Sequence, residues 1–234
     1  MSAERQIIQK ALAEGRSTLS EHESKEFLRA CGIPVTRETE ARDDRGLKEA
    51  LREIPFPVVL KGSSPRLAHK SERGLVKIDI RNEEEAEAAF EEIMSLMQEG
   101  DRAVLVQEMI RGSRELMVGM TRDPQFGPCV MFGLGGIFTE VLKDVSFRVA
   151  PLEERDVREM TREIRAHKIL QEVRGLPAAD MDQLTRILIR VGKIGMEHES
   201  IREIDINPLI LAGSQPVAVD ALIILSPSAP VKAI

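Results

Sequence analysis

Two hydrophobic periods alternate along this 234-residue chain, and the switches between them mark its elements. Ile7, Ile8, Ala11 and Leu12 recur at helical spacing, which predicts a helix over Ala3 to Ala13. Ser20 followed by Glu23 is a capping-box pattern. It opens a second helix that ends at Gly32, with Phe27, Leu28 and Cys31 inward. Ile33 to Thr36 reads as a short strand, and Asp44 to Glu53 as a helix with Leu47, Ala50 and Leu51 on one side. Phe56-Pro57-Val58-Val59-Leu60 runs as a strand into Lys61. Val76-Lys77-Ile78-Asp79-Ile80 alternates as another, after a loop of small, polar and charged residues. Asn82 caps a helix carrying Ala86, Ala89, Phe90, Ile93, Leu96 and Met97, with Gly100 as its stop. Ala103 to Ile110 is a strong strand that completes a first α+β lobe, residues 1–110.

A second lobe, 111–234, begins near Arg111-Gly112. Arg114 to Thr121 alternates as a strand, Asp123-Pro124 turns it, and Cys129 to Phe132 returns. Val145 to Val149 is a further strand. Glu153 to Arg165 forms a helix with Val157, Met160 and Ile164 inward. Asp180 caps another that carries Leu184, Ile187, Leu188, Val191 and Ile194. Ile204 to Leu211 and Val217 to Leu225 close the chain as two strands joined at Gly213-Ser214.

Composition narrows the class. With 42% hydrophobic and 31% charged residues the chain is globular. A net charge of -6 argues against nucleic acid or an acidic membrane as the partner. No apolar run is long enough to span a bilayer, and the N-terminus has no signal-peptide core, which points to a cytoplasmic protein. Cys31 and Cys129 lack metal-like or redox-like spacing and read as reduced, buried thiols. The absence of Trp and Tyr beside many charges hints at a thermophile.

The candidate chemistry sits at strand ends. Lys61 and Lys77 flank the loop between the two strands and could hold a phosphate chain between them, though these residues alone favour a surface hairpin with solvated lysines slightly. Glu203, Asp205 and Asn207 share one strand face, with Ile204, Ile206 and Pro208 on the other. Asp220 lies among apolar residues in the returning strand, and a carboxylate there is costly to bury without a partner. A hard cation such as Mg2+ is a natural one, with Asn207 and Asp220 as ligands. Backbone around Glu108 and Met109, where the lobes join, is free to meet an adenine edge, and Glu108 or Glu115 could take ribose hydroxyls. Gly133-Leu134-Gly135-Gly136 lacks the Lys-Ser/Thr of a Walker loop, so it is a tight turn or a ligand contact of another kind. His69 is the one histidine in the lysine-flanked loop; His22, His167 and His198 read as surface residues.

These pieces occur in the order of an ATP-grasp fold. His69-Lys70-Ser71, Phe126-Gly127-Pro128, Gly133 to Phe138, Asp144-Val145-Ser146-Phe147-Arg148 and Arg174-Gly175 resemble the β subunit of ADP-forming acetyl-CoA synthetases. The likeness to the succinyl-CoA synthetase β subunit is more distant. The resemblance implies two α+β lobes with nucleotide between them, binding ATP or ADP and Mg2+ through Lys61, Gly74, Lys77, Glu108, Met109 and Glu115, with metal on Asn207 and Asp220. It implies that acyl-CoA, ADP and phosphate give acid, ATP and CoA. A separate CoA-binding α subunit would carry a phosphorylated histidine in an α2β2 heterotetramer, and His69 would relay the phosphoryl group. Where the family has two glycines this chain has Gly74-Leu75. Two other readings stand beside this one: a stand-alone ATP-grasp ligase joining carboxylate to amine, and a non-catalytic nucleotide-sensing module.

Overall fold

The computed structural model describes residues 2–64, 74–97, 102–136 and 142–226. The loop that carries His69, Lys70, Ser71 and Arg73 lies outside the described residues, as do the Gly100 stop and Ile137-Phe138. Two compact units are present. The small unit is Ser20–Glu23 with Thr36–Ile110; the large unit is Met1–Leu19, Ser24–Val35 and Arg111–Ile234. The division after residue 110 coincides with the expected lobe boundary, but most of the first 35 residues cluster with the second half of the chain rather than the first.

The first elements are helices α1 (Ala3–Ala13) and α2 (Glu21–Ala30). The capping box at the start of α2 is complete. Ser20 N–H donates to Glu23 Oε2 at 2.9 Å and Glu23 N–H donates to Ser20 Oγ at 3.1 Å. The small unit then runs β1 (Glu38–Ala41), α3 (Asp44–Glu53), β2 (Val58–Ser63), β3 (Val76–Ile80), α4 (Glu83–Leu96) and β4 (Ala103–Glu108). Asp43 and Asn82 cap α3 and α4 through bonds from Gly46 N–H and Glu85 N–H. The strands form an antiparallel sheet in the order β1-β4-β2-β3. One face carries Val58, Leu60, Val104 and Val106 onto Leu47, Ala50, Phe90 and Ile93 of the two helices.

Two expectations shift here. The first strand forms at Glu38–Ala41, where it pairs with β4, and not at Ile33 to Thr36, where only Val35 makes an isolated bridge to Ala218. The alternation in β3 also breaks. Asp79 has φ +57 and the register slips between the Val58–Ile80 and Leu60–Lys77 pairs, so a bulge places Lys77 and Ile80 on the same face. Ile80 is buried there while Ile78 is 69% exposed.

The large unit continues with β5 (Glu115–Asp123), β6 (Gly127–Leu134), β7 (Val145–Val149), α5 (Glu154–Glu163), a 3-10 turn (His167–Leu170), α6 (Met181–Glu197), β8 (Ile201–Ala212), β9 (Gln215–Ala218) and β10 (Ala221–Leu225). Its antiparallel sheet runs β10-β8-β5-β6-β7, with β9 on the far half of β8. Leu116, Val118, Val130, Phe132, Ile204 and Ile206 pack into one core with Val157, Met160, Leu184, Leu188 and Val191 of the helices. Each such side chain contributes about 1.5–3 kcal/mol by leaving water. The Asp144 to Arg148 motif is part of this scaffold. Asp144 accepts from Arg165 N–H and Ala166 N–H at 2.7 and 2.8 Å, Ser146 Oγ donates to Met160 O, and Arg148 pairs with Glu163. Arg114 is buried and donates to the carbonyls of Ile169, Gln171, Pro177 and Gly213, fixing the loop whose tip is Arg174-Gly175. Cys31 is buried but Cys129 is only half-buried, and neither is in a disulfide. His198 is buried against the edge of Phe27, and His22 meets Glu38, so neither is the bare surface residue its local sequence suggests.

Candidate functional site

In the large unit the helices cover one face of the sheet, and the opposite face carries Glu115, Glu203, Asp205 and Asn207 by strand alternation. The returning strand does not run through Asp220 as its apolar neighbours suggest. It breaks at Val219-Asp220, between β9 and β10. The two ends are stitched to β8 by Asn207 N–H donating to Asp220 O at 3.2 Å and Val219 N–H donating to Pro208 O at 3.0 Å. The break frees Asp220 from strand alternation beside the Asp205-Ile206-Asn207 segment. Next to it, Lys25 is wholly buried and donates to Val219 O at 3.1 Å.

Asp205 is the electrostatic outlier. Burial, then the charges of Asp220 and Glu203, push its carboxyl up to about 6. Its Oδ1 is buried with no hydrogen-bond partner. A carboxylate left so, beside like charges, is the arrangement a cation relieves. Asn207 Oδ1 accepts from Gly136 N–H at 2.9 Å, which fixes the amide's orientation on the same face. Gly136 has φ +60, and a Cβ there would come within 1.8 Å of Glu115 Oε2; glycine is what lets the β6 end close down on that carboxylate. The glycine-rich turn thus joins Glu115 and Asn207 into one constellation with Asp205. Among the described residues no group of three or more His, Cys, Asp or Glu side chains has metal-ligand geometry. Two carboxylates and an amide suit instead a cation that keeps water and phosphate oxygens as its other ligands, as Mg2+ does.

The small unit presents a different face. Lys61, Val59 and Ser63 point away from α3 and α4, because their neighbours Leu60 and Gly62 point toward them. Lys61 Nζ donates to Glu21 Oε1 at 2.7 Å, with side chains only 7% and 1% exposed. Around this pair every carboxylate has a partner. Glu38 accepts from Thr36 Oγ1 at 3.2 Å and meets His22 Nδ1 at 3.1 Å, and Glu40 accepts from Ser63 Oγ at 2.7 Å. Glu108, at the end of β4, is held by Arg37 through its backbone N–H and its guanidinium at 2.8–2.9 Å. Met109 N–H donates to Pro57 O at 3.3 Å, and Gly74 opens β3 with φ +71.

Lys77 does not join Lys61. The bulge at Asp79 turns it to the helix-covered face, where its Nζ pairs with Glu92 of α4 at 2.5 Å. The expected two-lysine clamp does not form, since Lys61 and Lys77 lie on opposite faces of the sheet. Of the other expected residues, Asn207, Asp220 and Glu115 are brought together, Lys61, Glu108, Met109 and Gly74 belong to the small unit, and His69 lies outside the described residues. Two residues went unassigned from sequence. Asp205 stood in the Glu203-Asp205-Asn207 alternation, which was the signal for it. Glu21 carries no local signal, because only the fold brings the start of α2 to β2.

Comparison with known proteins gives the family. Residues 10–225 match the ATP-grasp domain family. The acetate–CoA ligase [ADP-forming] I subunit beta of Pyrococcus furiosus is 48% identical over 226 residues, covering 94% of this chain and 97% of that one. The II subunit beta of the same organism is 41% identical, over 94% and 96%. Among solved structures, an acetyl-coenzyme A synthetase of Ca. Korarchaeum cryptofilum superposes with a TM-score of 0.85 at 46% identity, over 96% of this chain and all of that one. That protein was solved with coenzyme A and Mg-AMPPCP, its phosphohistidine segment pointing towards the nucleotide binding site.

Proposed function

The chain belongs to the ATP-grasp family, among the β subunits of ADP-forming acetate–CoA ligases, and we propose on that premise that it moves a phosphoryl group between a phosphohistidine and ADP with Mg2+. The observation that carries this reading is Asp205, half-buried, with its Oδ1 buried and unpartnered and its carboxyl crowded by two further carboxylates. Asp205, Asn207 and Asp220 would hold the metal, which when bound supplies positive charge to the phosphates. Asn207 is kept in place by Gly136 N–H, and Glu115 lies against the same glycine. In the small unit Lys61 would meet a phosphate, and backbone beside Glu108 and Met109 would meet the adenine edge. Phosphoryl transfer asks for positioning and charge neutralisation more than for acid–base chemistry, and these residue types provide both.

His69 is the proposed relay. A nitrogen of its ring would take the phosphoryl group from a histidine of the CoA-binding partner, one P–N bond forming as the other breaks. A β-phosphate oxygen of ADP would then displace the imidazole, giving ATP, and the ring would take up a proton as it leaves. The relatives named subunit beta imply a partner subunit, which on this reading binds CoA, and an α2β2 assembly accommodates both halves. Among the described residues no helix is long and apolar enough to cross a membrane.

The test is reconstitution with the CoA-binding subunit. Acetyl-CoA, ADP, phosphate and Mg2+ should yield ATP, and His69→Ala should abolish that while Mg-ADP still binds and the partner is still phosphorylated. Near-parental turnover of His69→Ala would remove the relay. Robust ligation of a carboxylate to an amine by the chain alone would replace the whole reading.

A further inference from the structure

The contact between Lys61 and Glu21 is the least expected in the small unit. A buried ion pair is a poor way to stabilise a fold, because desolvating two charges offsets most of their attraction. At 2.7 Å, with side chains 7% and 1% exposed, this pair has good geometry and little solvent. Of the nearby carboxylates, Glu38 meets His22 and Thr36 and Glu40 meets Ser63, while Glu21 contacts the ammonium directly. Glu21 is the first residue of α2, held there by the Ser20–Glu23 capping box. Lys61 sits mid-strand on β2, bonded to β4 on one side and β3 on the other. Both ends of the contact are thus fixed by secondary structure rather than by mobile surface chain.

We propose that Glu21 is an intramolecular competitor for Lys61, a built-in anion that occupies the ammonium when no nucleotide is bound and so sets how tightly a phosphate is held. The proposal rests on the reading of Lys61 as the phosphate-binding lysine. An ammonium has three N–H donors but one charge. A phosphate arriving at Lys61 meets a cation already neutralised at contact distance, and it meets the Glu21 carboxylate as a like charge. Removing that charge while keeping an acceptor oxygen leaves Lys61 in place with its full charge available. The sign is the distinctive consequence: losing a residue that merely supports the site weakens binding, whereas losing a competitor strengthens it. For a reversible reaction the competitor has a use, since nucleotide must leave as readily as it arrives.

The experiment is calorimetric titration of Mg-ADP into the full chain bearing Glu21→Gln, Lys61→Met or both. Glu21→Gln should bind about tenfold more tightly than the parent, on the order of one charge-assisted bond. Lys61→Met should bind more weakly, and Glu21→Gln should add nothing in the Lys61→Met background. In the reconstituted enzyme the KM for ADP should fall in Glu21→Gln without a rise in kcat. Unchanged or weaker affinity in folded Glu21→Gln, with Lys61→Met weakened, overturns the competition and leaves the function standing. Unchanged affinity in Lys61→Met overturns the reading of Lys61 itself. Should Glu21→Gln not fold, Glu21→Asp withdraws the charge by one methylene and should tighten binding by a smaller factor; no tightening there also overturns the proposal.

Discussion

The two sheet faces handle charge in opposite ways. On the small unit, Glu21, Glu38, Glu40 and Glu108 each have a cationic or hydroxyl partner within 3.4 Å. On the large unit, Asp205 lies beside Asp220 and Glu203, and one of its oxygens is buried without a hydrogen bond. A paired face is complete in the folded chain. A face of converging carboxylates suits a cation as its ligand. On the proposed reading, the first face holds a competitor for the phosphate and the second would take the metal.

The largest expected effect comes from removing the Asp220 charge. Asp220→Asn should weaken Mg-ADP binding by about 100-fold, the upper end of what even an outer-shell change costs a metal site. Calorimetry with and without Mg2+ checks this, and the loss should vanish when Mg2+ is omitted.

Of similar size is the pH response of metal-free Asp205. Its carboxyl titrates near 6 when folded, against an ordinary value of 3.8. Well below pH 3.8 it is protonated in both states and makes no difference. As pH rises towards 6 the unfolded chain releases the proton first, so folding loses about 3 kcal/mol across that window. Urea unfolding in EDTA at pH 4 and pH 7 should show the loss, and Asp205→Asn should flatten it.

On the paired face, Lys61→Met should cost about 1.5–3 kcal/mol of Mg-ADP affinity, the value of a hydrogen bond to a charged group. The smallest effect sharpens the contrast. Lys77→Ala should leave nucleotide affinity unchanged and move stability by less than about 1 kcal/mol, since it breaks only the half-exposed pair with Glu92. A large loss of affinity in Lys77→Ala would return it to the site.

Most of the scaffold was legible as periodicity. The helices at 3–13, 44–53 and 181–197 and the strand at 145–149 fall where the patterns put them, because each buries one face against a single layer. The site was half legible. The Asp205 to Leu209 run and Asp220 were visible as polar residues out of place among apolar ones. Two of the failures share one physical cause: a backbone irregularity that resets alternation. The bulge at Asp79 turned Lys77 to the helices, and the break at Val219-Asp220 divided an expected single strand into β9 and β10. Neither is coded by a turn residue such as glycine. Glu21 was invisible for another reason, since it lies 40 residues from the lysine it meets.

The assignment of Ser20–Glu23 to the small unit bears on how this protein can be divided. The chain crosses between units after residues 19, 23, 35 and 110, so no single cut yields two intact pieces. A fragment running from Thr36 to Ile110 keeps its four strands and both helices, α3 and α4, but bears Lys61 without the carboxylate that faces it. Any excision, permutation or gene fusion of the small unit has to carry a four-residue stitch from upstream. Joining Glu23 to Thr36 through a short linker is the minimal reunion that restores it.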